Sequence, residues 1–156
     1  MPDVPEHRYR GARAMVVLHE RHLRSCIDVW KRFAASGRSL PATSDPDYAS
    51  SSALLRHLVA CARGYMFWCC KVLGLPEPAI PEVAPVERIA EEVDEALESV
   101  LAGWRTPLVD VEEERFGESA PSAWKIVYCV DAMLEHAVMH PIRHELQLRE
   151  LLGSIE

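Results

Sequence analysis

Glycine and proline fall between long periodic stretches of this chain and rarely inside them, and that punctuation leaves room for four helices and little else. A first segment covers about residues 8–36. It ends at Gly37, a residue suited to the left-handed close of a helix, with Pro41 beyond. The linker RSLPATSDPD is polar and proline-bearing. A second segment covers about residues 50–73, with Asp47 or a nearby serine as its cap, and is stopped by Gly74 and Pro76. The stretch LPEPAIPEVAP carries four prolines and does not form helix. A third segment opens at Pro85, a good first helical residue, and ends near Trp104. TPLVDVEEERFGES reads as a longer loop. The fourth segment starts near Pro121 and runs to about Leu152, closed by Gly153. There is no internal repeat and no period-2 run long enough for a buried strand.

Each segment has one apolar face at the helical step. The third is cleanest: Val86, Ile89, Val93, Leu97, Val100, Leu101 and Trp104 share a side. Its glutamates and Asp94 lie elsewhere, as a solvated face does. The expected fold is therefore all-α: a four-helix bundle, up-down-up-down by default or with one longer crossover. At 156 residues, 49% of them apolar, the chain is expected to form one domain over 1–156. A net charge of −7 disfavours nucleic acid as a partner. No apolar run has the length of a membrane span, since Arg56, His57, Arg63 and Lys71 break the longest candidate. The N-terminal MPDVPEHRYR lacks the apolar core of a secretory signal. The five cysteines, Cys26, Cys61, Cys69, Cys70 and Cys129, form no CxxC pair. They read as reduced thiols, mostly small core residues, in a cytoplasmic protein.

The informative polar residues are histidines. In helical projection His57 shares a stripe with Leu54, Cys61, Gly64, Trp68 and Val72, while Arg56 and Arg63 point away. On the fourth segment the apolar stripe is Ile126, Val130, Met133, Leu134, Ala137, Leu148 and Leu151. His144 falls within it, His140 lies on its flank one turn earlier, and His136 lies nearer the edge. An i, i+4 pair brings two imidazoles within about 6 Å at their Cβ atoms, close enough to share one ion. A third imidazole from a facing helix completes a triangle. Three protein ligands leave an open coordination position, as reactive sites do. The competing reading is a set of core histidines satisfied by hydrogen bonds.

The segments LLRHLVACARGYMFW and EHAVMHPIRHELQLRELL resemble the DinB/YfiT-like superfamily of metalloenzymes. Its pattern is one His on helix two, then H-x-x-x-H on the last helix followed by Gln and an apolar tail. Here these are His57, His140, His144 and Gln147, followed by Leu148, Leu151 and Leu152. The resemblance spans about residues 12–153. It implies a four-helix bundle whose three histidines bind a divalent ion, often nickel or zinc. It further implies a thiol-dependent S-transferase or isomerase using mycothiol, bacillithiol or glutathione, or a metal-dependent hydrolase. A homodimer is expected on the same ground, with Met66, Phe67 and Ile142 as surplus apolar residues for its contact. The alternative is a non-catalytic metal- or ligand-binding bundle connected with stress. Where many relatives have a basic residue and Gly before the Gln, this chain has Glu145 and Leu146, and Pro141 interrupts the last helix.

Other candidates are secondary. His19 lies on the apolar face of the first segment among Met15, Leu23, Cys26 and Trp30. It could line the pocket or act as an acid or base, or be a core histidine bonded to a neighbour. Cys61, one turn after His57, is a possible fourth ligand or core filler. Gln147 projects close to His140 and His144 and could bond a ligand or substrate. Trp30, Tyr65, Trp68 and Tyr128 read mainly as packing. Phosphate-binding glycine loops, G-x-S-x-G and paired inward carboxylates are absent, so a bound ion or the substrate itself would have to carry the proton chemistry. Metal affinity is expected to weaken below about pH 6.5, where free imidazole protonates.

Overall fold

The computed structural model describes residues 4–153. Four α-helices dominate: α1 (Arg10–Ala35), α2 (Ser51–Val72), α3 (Val93–Trp104) and α4 (Val130–Leu152). Gly37, Gly74 and Gly153, which stop α1, α2 and α4, all take positive φ, the conformation a side chain disfavours. Ser50 caps α2, its side chain accepting from the Ala53 amide at 3.0 Å. Asp47 is thereby left free of the capping role.

Two boundaries differ from expectation. α3 begins at Val93, not Pro85. Pro85 does start a turn, with the Ile89 amide donating to its carbonyl at 3.0 Å, but residues 86–92 continue as turns. Asp94 and Glu95 then occupy the first turn of α3, where the positive end of the helix dipole favours carboxylates. α4 begins at Val130, not near Pro121. Residues 119–129 form instead a small antiparallel hairpin of β1 (Ser119–Pro121) and β2 (Val127–Cys129), pairing Ser119 with Cys129 and Pro121 with Val127. Lys125 in its turn has positive φ. Ile126, expected on the inner stripe of α4, is 54% exposed on this turn.

The core is one cluster centred on Leu23, Ile27 and Phe33 of α1, Leu55, Leu58 and Met66 of α2, Leu101 and Trp104 of α3, and Met133 and Leu134 of α4. α4 packs against α1 most extensively and also against α2. α3 packs on α2 and α1 and makes little contact with α4. Trp30 of α1 donates to the Ser51 carbonyl, and Arg24 and Lys31 of α1 pair with Glu98 and Asp94, so α2 and α3 both run antiparallel to α1. The connection from α2 to α3 therefore returns along the bundle as the longer crossover, the second of the two arrangements foreseen. Glu20 of α1 is buried and held by Arg24 at 2.9 Å and by Arg105 at 3.1 Å, an ionic tie between α1 and the end of α3. Met66, expected as surplus surface, is fully buried. Phe67 is half-buried under the Arg63 guanidinium, 3.9 Å from its ring centroid. All five cysteines are free. No helix of the described residues is long and apolar enough to cross a membrane.

Candidate metal centre

α2 carries a wide buried stripe that runs Leu54, Leu55, Leu58, Val59, Ala62, Tyr65, Met66, Cys69 and Cys70, and it packs against α1, α3 and α4. His57 lies at the border of that stripe and is half-buried, not fully inward as its projection implied. α4 carries His140 and His144 on its buried face, one turn apart. Their rings meet edge to face at a centroid distance of 4.7 Å, and His57 lies 5.0 Å from His140 and 5.5 Å from His144. One ring nitrogen from each of the three falls within 4.8 Å of the others.

Hydrogen bonds on the outer nitrogens set the tautomers. His57 Nδ1 lies 3.0 Å from Asp47 Oδ2, and His144 Nδ1 lies 3.0 Å from Gln147 Oε1. Both partners are acceptors, so Nδ1 of each ring carries the proton and Nε2 keeps its lone pair. His57 Nε2 and His140 Nε2 approach to 3.1 Å. Two imidazole nitrogens at that distance need a proton or a cation between them. Tetrahedral ligands with bonds of about 2.0–2.1 Å stand about 3.3 Å apart, close to the observed spacing. The three-nitrogen set with two outer partners thus fits a small divalent ion.

Burial pushes His140 down to about 2, assisted by the neighbouring His144 and His57, and His144 down to about 4 through burial and then His57. Both rings therefore stay neutral, the form that ligates, well below the pH at which free imidazole is half-protonated. The expected loss of affinity at pH 6.5 is to this extent displaced to lower pH. Two tyrosines flank the cluster. Tyr48 has its ring centroid 5.4 Å from His57 and 5.7 Å from His144, and Tyr65 lies 5.7 Å from His140. Burial raises both phenols, so they remain donors.

A cavity of about 410 Å³ opens beside His57, lined by Cys61, Tyr65, Trp68, Trp124 and Met133 among others. Arg56, read from projection as pointing away, lines it too. A second hollow of about 300 Å³ lies on the side of Tyr48 and Gln147. Cys61 Sγ sits 3.7 Å from His57 Nε2 but is not among the converging donors, and burial raises its thiol. His136 is half-buried outside the triad, packed against Tyr65, Trp124 and Tyr128 at 5.4–5.7 Å.

Gln147 thus joins the site as a partner of His144. His19 does not: it is buried in α1, stacked on Trp104 with centroids 3.7 Å apart, and lines neither cavity beside the cluster. The hydrogen bond expected of a core histidine is missing as well, since neither ring nitrogen has a partner among the described residues. Trp30 donates to the Ser51 carbonyl at 2.7 Å in the core. Asp47 and Tyr48 were not singled out for the site. They arrive on a short 3-10 turn, Pro46–Tyr48, organised by Asp45, whose carboxylate accepts from the Asp47 amide at 3.0 Å. The S-D-P-D sequence is a signal for such a turn. Comparison of the chain with family models, curated proteins and solved structures finds no match.

Proposed function

We propose that this chain is a DinB/YfiT-like metal-dependent enzyme in which His57, His140 and His144 bind one nickel or zinc ion. The observation that carries the reading is the convergence of three imidazole nitrogens within 4.8 Å, with Asp47 and Gln147 holding the outer nitrogens of two rings. A hydrogen-bonded pair of histidines would need neither the third ring nor two outer acceptors. Bound there, a divalent ion supplies Lewis acidity that lowers the pKa of a thiol or water at its open side.

The chain's own residues would do the rest. Asp47 fixes the His57 ring, Gln147 fixes His144, and Tyr48 and Tyr65 present phenols toward a substrate. The cavity beside His57 gives room for one, which favours turnover over a sealed storage site. The reaction class we propose is transfer or isomerisation dependent on a low-molecular-weight thiol, in the cytoplasm, by a homodimer.

Elemental analysis of untagged protein should find nickel or zinc near one equivalent. Calorimetric titration with zinc should give one site in the wild type and a sharply weaker one in His144→Ala. Identical binding by the two proteins would overturn the site. A metallated protein inert toward every thiol and electrophile pair would leave the site and remove the transferase reading.

A further inference from the structure

Trp68 donates its indole N–H to the Pro121 carbonyl at 3.0 Å, so its ring offers the cavity beside His57 carbon surface and no donor. Tyr65 forms another wall. Trp124 reaches in from the hairpin turn, 6.4 Å from Tyr65 with the rings nearly perpendicular, and leans on His136 at 5.4 Å. Trp124 remains 43% exposed. Three aromatic rings around about 410 Å³ suit a planar ligand, because offset and edge-to-face contacts reward another ring.

The same cavity holds one cation, Arg56. It forms no ion pair among the described residues. Asp47, the carboxylate sharing the cavity, is engaged by His57 at 3.0 Å instead. A guanidinium without a partner at the wall of an aromatic cavity matches a planar two-oxygen acid through paired N–H donors.

We propose that this cavity binds an aromatic carboxylate, its ring among Tyr65, Trp68 and Trp124 and its acid group on Arg56, beside the histidine cluster. This names a substrate class for the site proposed above and rests on that reading for turnover, though not for binding. His57 borders the cavity, so the ligand's remaining substituents face the side where the cluster lies.

The probe is 2-naphthoate, titrated into chelator-treated protein and followed by the indole N–H signals of the four tryptophans. The signals of Trp68 and Trp124 should shift, and those of the buried Trp30 and Trp104 should stay. The neutral isostere 2-naphthamide should bind about tenfold more weakly, the scale of a hydrogen bond to a charged group. Cyclohexanecarboxylate, which keeps the charge but not the ring, should also bind more weakly. In Arg56→Gln the preference for acid over amide should vanish while the melting temperature holds. Equal binding of naphthoate and naphthamide by the wild type would overturn the inference without recourse to any variant. So would shifts absent from Trp68 and Trp124, or an acid preference retained in Arg56→Gln. Zinc calorimetry on the same preparation reads the metal site separately. Zinc binding without naphthoate binding overturns this inference alone, and naphthoate binding that needs Arg56 in a protein that takes no zinc overturns the metal reading alone.

Discussion

Asp47 and Gln147 act on the histidine cluster through nitrogens that face away from its centre. Asp47→Asn keeps the shape and loses the charge that holds the Nδ1 proton of His57. Zinc affinity should fall about 10–100-fold by calorimetry, the usual cost of an outer-partner change, and less than in His57→Ala. His136→Ala should leave it nearly unchanged. The buried rings also fix how the protein meets acid. His19 is pushed down to about 3 by burial, and His140 and His144 to about 2 and 4. In the unfolded chain these rings titrate near 6.5, so below that pH the unfolded state takes up protons that the folded state refuses. The contribution is intact above about pH 6.5 and is lost as pH falls toward the folded values. Urea midpoints of metal-free protein should therefore decline from pH 7 to 4, and His19→Leu should flatten that decline. The triad was legible in the sequence because i, i+4 spacing on an amphipathic helix is a geometric statement about neighbours. Arg56 was misread because helical projection measures distance from the buried stripe. It says nothing of the hairpin that, through Ala123 and Trp124, builds the far wall of the cavity.

Among the elements, α3 is placed by a close approach. A Cβ at Gly103 would stand 2.2 Å from Ile80 Cγ1, and Ile80 is buried where the proline-rich connection crosses the helix. Gly103→Ala should thus destabilise by about 1–3 kcal/mol despite the better helix former, because overpacking outweighs propensity. Gly64 on α2 is exposed, and a Cβ there meets nothing within 4 Å. Gly64→Ala should stabilise by about 0.5–1 kcal/mol. Thermal melts of the pair check both signs, and equal shifts would refute the packing account. Helix existence and most helix ends were legible, since Gly37, Gly74 and Gly153 terminate as their chemistry dictates. The hairpin was not: three-residue strands are too short to show alternation, and Pro121, taken as a helix start, occupies an edge position where its missing N–H costs nothing. Cys129 then caps α4, its sulfur accepting from the Ala132 amide.

At the scale of the whole molecule, apolar surface that the bundle does not bury lies on the hairpin, at Trp124, Ile126 and Val127, and on one side of α4. Met139 is 50% and Leu146 51% exposed, and Ile142 lies between them on the same face. If the proposed homodimer uses that face, sedimentation at micromolar concentration should give a dimer that Leu146→Lys dissociates. A wild-type monomer would remove it. The ionic tie of Glu20 to Arg105 was invisible in the sequence because the partners are 85 residues apart. The histidine cluster likewise joins distant parts of the chain: His57 and His140 are separated by 83 residues. An ion gripping both would turn that separation into a mechanical property. Pulled from its two ends, the metallated molecule could unravel only outside the span from His57 to His144, the outermost of the three proposed ligands, until the ion let go. It would then yield about 300 Å of hidden length in a single step, at the 3.3–3.6 Å that each extended residue supplies. Stripped of metal, the same chain would pay out without that step, so the ion would act as a latch on extensibility as well as a reactive centre.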